Sequence, residues 1–261
     1  MNRPLSRRWS PFFYKTITQY LNKNSRIFLR RLKKIKKGRT MPDLSILEIG
    51  SAMRMDVAVL FFDLKSFTAT SSKISNEATL FILNNIIPSL TRIIQHWGGT
   101  IEKNTGDGIM AILGTETINQ QKIAREAIES AMAIRYIMLV EIQNLMKKHS
   151  LPVFDFRIGI DMGEVLISRI GVRNMNFITV VGSAANRASK LQSLSRTNGI
   201  SIGENLAENL DEYLYQYLEE GSDPDWQWKK TGTGKPYRFF HYTLDYLKPN
   251  EWLTFRFDKE I

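Results

Sequence analysis

The segment VAVLFFDLKSFT at residues 57–68 constrains the fold more than any other stretch of the chain. An unbroken apolar run at 57–62 leads directly into Asp63, and polar residues then interrupt the pattern. Apolar runs of this length are typical of a strand that is covered on both faces of a sheet. The segment therefore predicts a buried strand over 55–63 that holds a carboxylate rigidly at its end.

A second aspartate lies at the tip of a predicted hairpin. The segment GGTIEKNTGDGIMAILG at 98–114 has apolar arms around a Gly-Asp-Gly turn, which predicts two antiparallel strands with Asp107 between them. If this hairpin pairs with the strand 55–63, the two carboxylates converge at one edge of the sheet. Such oxygen ligands, without cysteine or clustered histidine nearby, favour Mg²⁺ or Mn²⁺ bound together with substrate phosphates. The pair predicts a site for two divalent cations.

Each aspartate also has a purely structural interpretation. A Gly-Asp-Gly sequence is common in turns, and an aspartate after a strand often caps the helix that follows. The metal-site hypothesis therefore depends on whether the two carboxylates meet in space.

Helical and strand patterns alternate through the rest of the chain. The periodicity predicts helices over about 74–96 and 118–148, two strands within 153–171 that turn near Gly163, and a strand ending near Val181. Further predicted elements are a helix at about 183–195, a strand at 199–202, another helix, and a strand pair near 226–230 and 236–244. Elements mixed in this way around a hairpin indicate an α+β sandwich.

Composition restricts the class of protein. The 261 residues, of which 43% are apolar, are sufficient for one large domain or for one domain plus an extension. The chain has no cysteine, which excludes disulfides and thiolate metal sites. No apolar stretch approaches the ~18–20 residues needed to cross a bilayer, and no signal-peptide pattern follows the basic N-terminus. We expect a soluble, cytoplasmic protein.

The positive charge is concentrated in an N-terminal arm. Residues 1–40 hold 13 of the 36 basic residues and none of the 26 acidic ones, so the remaining body is slightly acidic. Residues 11–37 space their apolar side chains as an amphipathic helix does, with a possible break at 22–24. Three partners are open for this helix: the body or a second subunit, an anionic membrane surface, or nucleic acid. Nucleic acid is disfavoured because no reader motif accompanies the charge.

Four motifs together resemble the catalytic domain of the class III nucleotidyl cyclases, the adenylate and guanylate cyclases. FFDLKSFT resembles their F-x-D-[ILV]-x-x-F-T motif, and EKNTGDGIMAILG resembles their K-x-x-G-D-x-x-M-A-x-F-G hairpin. FRIGIDMGEV is similar to their R-x-G-I-x-x-G segment, and ITVVGSAANRASKLQ to T-x-x-G-x-x-V-N-x-A-x-R-L. The motifs follow the family's order over residues 55–244.

The resemblance implies a fold and a division of the chain. The fold is an α+β, ferredoxin-like class III cyclase sandwich, with a central mixed or antiparallel sheet and flanking helices, in a head-to-tail homodimer. The division is a basic arm and linker at 1–44, the catalytic domain at 45–246 and a C-terminal extension at 247–261.

The resemblance also implies the residues that bind metal and phosphate. Asp63 and Asp107 of one chain would hold the two cations, and the carbonyl of Leu64 would add a ligand. Arg157 matches a basic strand residue that meets phosphate, and Lys230, ahead of TGTGK, matches a late phosphate lysine. Backbone N–H groups that would cradle the triphosphate belong to Leu64, Lys65, Ser66, Phe67 and Thr68.

The second chain would read the nucleoside. Lys103 and Thr179 fall on the base-reading positions, and Asn186 falls on the position that orients the ribose. The family usually has arginine four residues after this asparagine as the transition-state cation, whereas this chain has Lys190, which lacks the bidentate fork. Arg187 is a substitute if the helix turns it inward, and otherwise a solvated surface residue. Ser66 stands where the family usually has glycine.

The base is not decided by Lys103 and Thr179. Lysine can donate to adenine N1 or to a uracil carbonyl, and threonine can accept from an exocyclic amine or from N3–H. Pocket size would then decide, and Phe177, two residues before Thr179 and on the same side of the strand, is a candidate wall against purines. Phe177 is alternatively an ordinary core aromatic.

Most signalling cyclases of this class are fused to sensor or membrane domains. A short chain without such domains resembles the pyrimidine cyclases of bacterial Pycsar antiphage systems. Those enzymes make cyclic UMP or cyclic CMP, which switches on a separate effector. The sequence therefore favours UTP as substrate, then CTP, with ATP and cyclic AMP as the alternative. Two other classes stay open: a pseudocyclase that binds nucleotide without turnover, suggested by Lys190, and a nucleic-acid binder driven by the arm.

Overall fold

The computed structural model describes residues 47–230 and 232–244, together with the backbone of Lys36–Lys37. The strands are β1 (Lys36–Lys37), β2 (Ala52–Leu64), β3 (Thr100–Asn104), β4 (Gly108–Leu113), β5 (Phe156–Val172), β6 (Met175–Val181), β7 (Gly199–Gly203), β8 (Leu218–Glu220) and β9 (Phe239–Tyr242). The helices are α1 (Phe67–Ser71), α2 (Asn76–His96), α3 (Gln120–Ile137), α4 (Gln143–Lys148), α5 (Ser183–Leu194), α6 (Glu204–Ala207) and α7 (Glu212–Tyr215). A π-helical turn, Met138–Ile142, joins α3 to α4, so the predicted helix 118–148 is nearly continuous.

One sheet of nine strands organises the described residues. Its order is β3-β4-β2-β5-β7-β9-β8, with β1 beside β2 and β6 beside β5. The run β2-α2-β3-β4-α3-β5, with β2 and β5 side by side and β4 on the other edge of β2, is a ferredoxin-like unit. The predicted α+β, ferredoxin-like sandwich with a mixed sheet is therefore confirmed.

Alternate side chains of β2 serve the two faces of the sheet. Leu60 and Phe62 join the larger core, which is completed by α2, α3 and α4, whereas Val57 and Val59 join a smaller core beneath α5. Both sets are fully buried, which explains why the strand shows no polar alternation. Asp63 belongs to the second set by its position and therefore lies on the α5 face.

The predicted turn near Gly163 is wrong. Residues 156–172 form one strand, and the chain reverses only after Val172, where β6 begins. Thirteen consecutive residues of β5 pair with β2, including Gly163 with Val57. This continuous ladder outweighs the local tendency of glycine to mark a turn.

The predicted late strand pair is correct only in its second member. β9 pairs with β8 at 218–220, and residues 226–230 contribute only an isolated bridge between Lys229 and Pro236. Most of the predicted helix 11–37 lies outside the described residues, and Lys36–Lys37 form a short parallel strand against Met53–Arg54 instead of helix. The boundaries at 44 and 246 lie outside the described residues and stay predictions.

Helix α5 lies directly on β5. A Cβ added at Gly159 would overlap the backbone of Ala188 and Gln192. Small residues on the helix, Ala184 and Ala188, are buried in the same contact. The absence of a side chain at Gly159 therefore sets how closely α5 approaches the sheet.

We expect Gly159→Ala to lower the free energy of unfolding by roughly 1–3 kcal/mol, because the added methyl group meets backbone that cannot rotate away. Urea denaturation measures this change. Ser189→Ala, at an exposed position of the same helix, is the control and should change the value by less than about 0.5 kcal/mol. A Gly159→Ala variant as stable as the wild type would contradict the close packing.

Candidate active site at the end of strand β2

The two predicted metal aspartates lie at the same edge of the sheet. β2 pairs with β4 so that Asp63 stands opposite Gly108, the residue after Asp107. The N–H of Leu64 donates a hydrogen bond of 3.2 Å to the carbonyl of Asp107, which ties the hairpin turn to the end of β2. The predicted pairing of the hairpin with the central strand is confirmed, and with it the meeting of Asp63 and Asp107.

The Gly-Asp-Gly sequence is required by the geometry of this turn. Gly106 has φ of 101°, a conformation that side chains disfavour, and its N–H donates to Oδ1 of Asn104 at 2.8 Å. A Cβ at Gly108 would lie 2.5 Å from the carbonyl oxygen of Phe62 and 3.0 Å from Oδ1 of Asp63. Glycine at both positions lets the turn approach the Asp63 carboxylate closely.

The electrostatics of the pair favour a cation. Burial, followed by repulsion from Asp107, raises the pKa of Asp63 to about 6, against the opposing field of Arg157. A bound divalent cation would stabilise the ionised form of Asp63 beside the Asp107 carboxylate. No group of three or more histidine or acidic side chains that could hold a metal is found among the described residues. The two carboxylates and the Leu64 carbonyl therefore fit a Mg²⁺ or Mn²⁺ site that phosphate and water oxygens complete.

Arg157 lies directly opposite Asp63, on β5. Its Nη1 donates to the carbonyl of Ser193, at the end of α5, at 2.8 Å. Its Nε is buried and has no hydrogen-bond partner among the described residues. The guanidinium therefore retains a donor next to the carboxylate pair, which agrees with its predicted position near phosphate.

Fewer backbone N–H groups are free to bind phosphate than the sequence predicted. The N–H of Leu64 is bonded to Asp107, and the N–H of Lys65 donates to the carbonyl of Asp155 at 2.8 Å, so neither can cradle a triphosphate. Ser66 adopts a left-handed conformation with φ of 58° and makes no capping hydrogen bond to α1. This conformation explains why glycine suits the position in the family. The first turn of α1 keeps its backbone N–H groups without a cap.

The side chains of this loop have separate roles. Phe67 is buried against Phe154, with ring centroids 5.2 Å apart, and fixes the start of α1. Lys65 Nζ lies 3.3 Å from the Thr197 hydroxyl, and Thr68 is exposed. Only the N–H groups of Ser66, Phe67 and Thr68 therefore stay candidates for phosphate contact.

Asn186 and Lys190 share one face of α5, since they are four residues apart. Asn186 is exposed, and the Lys190 ammonium lies 3.7 Å from a carboxylate oxygen of Asp225. Asp225 is largely exposed, so this ion pair is weak and leaves the lysine accessible.

Arg187 is not a solvated surface residue, and the structure also argues against its use as a substitute cation. Its side chain is buried and forms an ion pair with the fully buried Asp161 of β5. The Tyr237 hydroxyl donates to the same carboxylate at 2.8 Å, and the guanidinium stacks on the Tyr237 ring at 4.2 Å. Removing Arg187 from this pair would leave Asp161 buried without a counter-charge, which is strongly unfavourable. Arg187 therefore anchors α5 to β5.

Lys230 is likewise engaged elsewhere. Its ammonium lies 2.9 Å from a Glu208 carboxylate oxygen and 3.2 Å from one of Glu204. These two partners raise the pKa of Lys230. The structure gives no support to the predicted role of Lys230 as a phosphate ligand, because two carboxylates already satisfy its charge.

Lys103 and Thr179 are brought together through a residue that the sequence interpretation overlooked. Glu102 lies 3.9 Å from the Lys103 ammonium and beside the Thr179 hydroxyl of β6. Its acidic character next to Lys103 was visible in the sequence, but its burial was not. Phe177 is 67% exposed, so its interpretation as a core aromatic is wrong. It shares the exposed side of β6 with Thr179, as the alternation predicted.

We expect Asp63→Asn to raise the melting temperature of the metal-free protein at pH 7.5. The pKa of Asp63 is raised above its unfolded value, so the unfolded state holds fewer protons, and stability falls as pH rises from about 4 to 6. The amide removes this penalty, and the advantage should vanish near pH 4. Scanning calorimetry at several pH values measures the difference.

Two controls accompany this measurement. Glu141→Gln neutralises an exposed carboxylate and should leave the pH dependence unchanged. Mg²⁺ or Mn²⁺ should raise the melting temperature of the wild type more than that of Asp63→Asn. Equal stabilisation of both proteins by the cation would count against a metal at Asp63.

The region that carries this site matches one family model. Residues 51–227 match the adenylate and guanylate cyclase catalytic domain. None of the helices in the described ranges is long and apolar enough to cross a bilayer.

The curated proteins that the chain resembles are named for different cyclase activities. A cytidylate cyclase of Staphylococcus aureus is 29% identical over 153 residues, covering 58% of this chain and 36% of that protein. An adenylate cyclase of Anabaena cylindrica is 27% identical over 165 residues, covering 60% and 30%. A uridylate cyclase of Rhodovulum sp. (strain MB263) is 28% identical over 149 residues, covering 55% and 60%. The matches span only about a third of the first two relatives and three fifths of the third.

The fold has a solved counterpart in the adenylyl cyclase CyaB from P. aeruginosa. The TM-score is 0.64 at 24% identity, over 76% of this chain and 98% of that one. The family model covers well over half of the 261 residues and includes the two aspartates, the hairpin and α5. The chain therefore belongs to the adenylate and guanylate cyclase catalytic-domain family, the class III nucleotidyl cyclases.

Proposed function

We propose that the protein is a nucleotidyl cyclase, which converts a nucleoside triphosphate into a 3′,5′-cyclic nucleotide and pyrophosphate. The observation that carries this proposal is the meeting of Asp63 and Asp107 at one sheet edge, within the region that matches the family. A carboxylate pair in which burial and the neighbouring Asp107 disfavour the ionised form of Asp63 is suited to phosphate chemistry with divalent cations.

The reaction forms one bond and breaks another at the α-phosphorus. The ribose 3′-oxygen attacks as its hydroxyl proton is lost, and the bond to the bridging oxygen of the β-phosphate breaks, so that pyrophosphate leaves with the electron pair. Divalent cations, when bound, lower the pKa of the 3′-hydroxyl and neutralise phosphate charge. Positioning by the protein supplies most of the remaining acceleration in reactions of this kind.

Residues of this chain would position the triphosphate from two sides. Asp63, Asp107 and the Leu64 carbonyl would hold the cations, and the uncapped first turn of α1 would donate N–H groups to phosphate. The positive charge of Arg157, directly opposite Asp63, would add attraction for the phosphates.

We further propose a head-to-tail homodimer, in which the nucleoside is read by the second chain. Apolar side chains along β5 and β6 lie open in the single chain, which supports a protein interface there. They are 52–67% exposed and comprise Ile170, Val172, Met175, Phe177 and Val181. Lys103, Thr179, Asn186 and Lys190 of the partner chain would complete the site.

For the base we propose a pyrimidine, with UTP preferred, then CTP, and ATP as the alternative. Relatives that include a cytidylate and a uridylate cyclase support a pyrimidine, whereas the adenylate cyclase among them keeps ATP open. The exposed ring of Phe177, on the side of β6 that carries Thr179, is available to narrow a pocket against purines. Size exclusion by a rigid wall would outweigh one exchanged hydrogen bond, which is worth ~1 kcal/mol.

The biological role proposed is that of the Pycsar systems, in which a cyclic pyrimidine nucleotide activates a separate antiphage effector. The basic N-terminal arm is proposed to contact either the protein body or an anionic membrane surface. A pseudocyclase is the second candidate, because Lys190 stands where the family usually has arginine and lacks the bidentate fork.

Incubation of the purified protein with equal UTP, CTP, ATP and GTP, with Mg²⁺ or Mn²⁺, tests the proposal by mass spectrometry of the products. We expect cyclic UMP to predominate, and Asp63→Asn and Asp107→Asn to abolish all products while the protein stays folded. Predominant cyclic AMP would overturn the pyrimidine assignment. No cyclic product from any nucleotide would favour the pseudocyclase.

Mixing two inactive variants tests the shared site. Asp63→Asn and Asn186→Ala chains should together recover about a quarter of wild-type activity, because half of randomly formed dimers are mixed and each has one intact site. Asp63→Asn mixed with Asp107→Asn is the control, since both changes affect the same side of the site. Recovery in the control, or none in the test mixture despite proven subunit exchange, would contradict the head-to-tail arrangement.

A further inference from the structure

Strand β3 contains a bulge at Glu102. Ile101 stands opposite Ala111 and Lys103 stands opposite Met110, so Glu102 is an extra residue without a partner on β4. Ala111 belongs to the core covered by α2 and α3, whereas Met110 belongs to the core beneath α5. The bulge therefore moves Lys103 to the α5 face and re-aims Glu102 toward β6.

The Glu102 carboxyl group lies in an unusual environment. Its side chain is 1% exposed, and both oxygens are buried without a completed hydrogen bond among the described residues. The Lys103 ammonium lies 3.9 Å away, which is a loose ion pair, and its side chain is 57% exposed. Across the gap, β6 presents the Thr179 hydroxyl and the Val180 N–H.

A buried carboxyl group without hydrogen bonds is costly, and the fold provides two contrasting cases. Asp161 is also fully buried, but it is satisfied by Arg187, Tyr237 and the N–H of Met162. Burial raises the pKa of both carboxyl groups, but Glu102 has only the loose ion pair with Lys103 and the poorly aligned Thr179 hydroxyl and Val180 N–H beside it, and neither of its oxygens completes a hydrogen bond among the described residues. An unsatisfied group of this kind, between two residues that face a common ligand, is suited to bind that ligand.

We propose that Glu102 is a third base-reading residue beside Lys103 and Thr179, and that it sorts bases by whether their edge carries an amino group or a carbonyl. This inference rests on the proposed function, since it takes the nucleobase as the ligand of the site. Glu102 would thus be a further residue that determines which base the site accepts.

The selection follows from the hydrogen bonds that a carboxyl group can make. The ionised form only accepts, so it matches the exocyclic amine of cytosine or adenine, while the lysine and threonine donate to the acceptors beside it. The protonated form donates, so it matches the C4 carbonyl of uracil, while Thr179 accepts from N3–H and Lys103 donates to the C2 carbonyl. An ionised Glu102 next to a uracil carbonyl would set two acceptors against each other.

The preference of the site for one base over another must therefore change with pH. The charged group whose field reaches Glu102 is Lys103 on its own strand, and β6 contributes only the neutral Thr179 hydroxyl and Val180 N–H. As pH rises, Glu102 ionises and preference shifts from carbonyl-bearing to amino-bearing bases. Titration of the metal aspartates affects both nucleotides equally, because they share the triphosphate, and it cancels in a ratio.

The test uses the 3′-deoxy triphosphates, which cannot cyclise, with the full-length protein and Mg²⁺. Calorimetry gives the Kd of 3′-deoxy-CTP and 3′-deoxy-UTP from pH 6 to pH 8, where none of the bases titrates, and of the adenine and guanine pair as a second comparison. In the wild type we expect the CTP preference over UTP to grow by about five- to tenfold, the size of one exchanged hydrogen bond. In Glu102→Gln, whose amide both donates and accepts without titrating, the ratio should not change with pH.

Three comparisons decide the outcome. Glu141→Gln, at an exposed position far along the chain, should keep the wild-type pH dependence. If Glu102 has only a structural role, Glu102→Gln should weaken the binding of all four nucleotides by the same factor. A CTP-to-UTP affinity ratio that changes with pH in Glu102→Gln as it does in the wild type would overturn the inference. Binding that follows the rule without cyclic product would overturn the proposed cyclase activity alone, whereas no binding of any nucleotide would overturn both.

Discussion

The pairing of β2 with its two neighbours is the constraint on which the site depends. In one register, Asp63 faces Gly108 on one side and Arg157 on the other, and the next residue bonds to the Asp107 carbonyl. A shift of one residue would send Asp63 to the opposite face of the sheet. The fully buried apolar side chains of β2 on both faces oppose such a shift, so the hydrophobic core fixes the position of the carboxylate pair.

Some buried carboxyl groups of this fold have a full set of partners, and others do not. The Asp161–Arg187 pair is satisfied by hydrogen bonds and by stacking of Arg187 on Tyr237, and it joins α5 to β5. Burial raises the pKa of all three carboxyl groups, but Asp63 and Glu102 lack a set of partners like that of Asp161. Satisfied pairs maintain structure, whereas groups left with unmet hydrogen bonds or unfavourable charge are those that a ligand can complete.

The closed ion pairs also limit which cations are available for catalysis. Arg187 and Lys230 were both candidates, and both are held by carboxylates, whereas Lys190 has only a weak ion pair and Arg157 lies opposite Asp63, so these two stay proposed partners of phosphate. Lysine at position 190 supplies charge without a bidentate fork, which suggests that α5 must be placed closely for it to act. The contact of α5 with Gly159 and the Asp161–Arg187 pair provide that placement.

Local sequence patterns were enough to predict the elements whose structure depends on neighbouring residues. The apolar run predicted β2, the Gly-Asp-Gly turn predicted the hairpin, and together they predicted the carboxylate pair, because alternation and turn chemistry act over a few residues. Other features depend on contacts between segments that are distant in the chain. β5 runs through Gly163 because its long ladder with β2 outweighs a local turn preference. Arg187 points inward because it pairs with Asp161, which lies 26 residues earlier in the chain. The burial of Glu102 depends on a bulge and on β6, which are contacts between distant segments that no local pattern records.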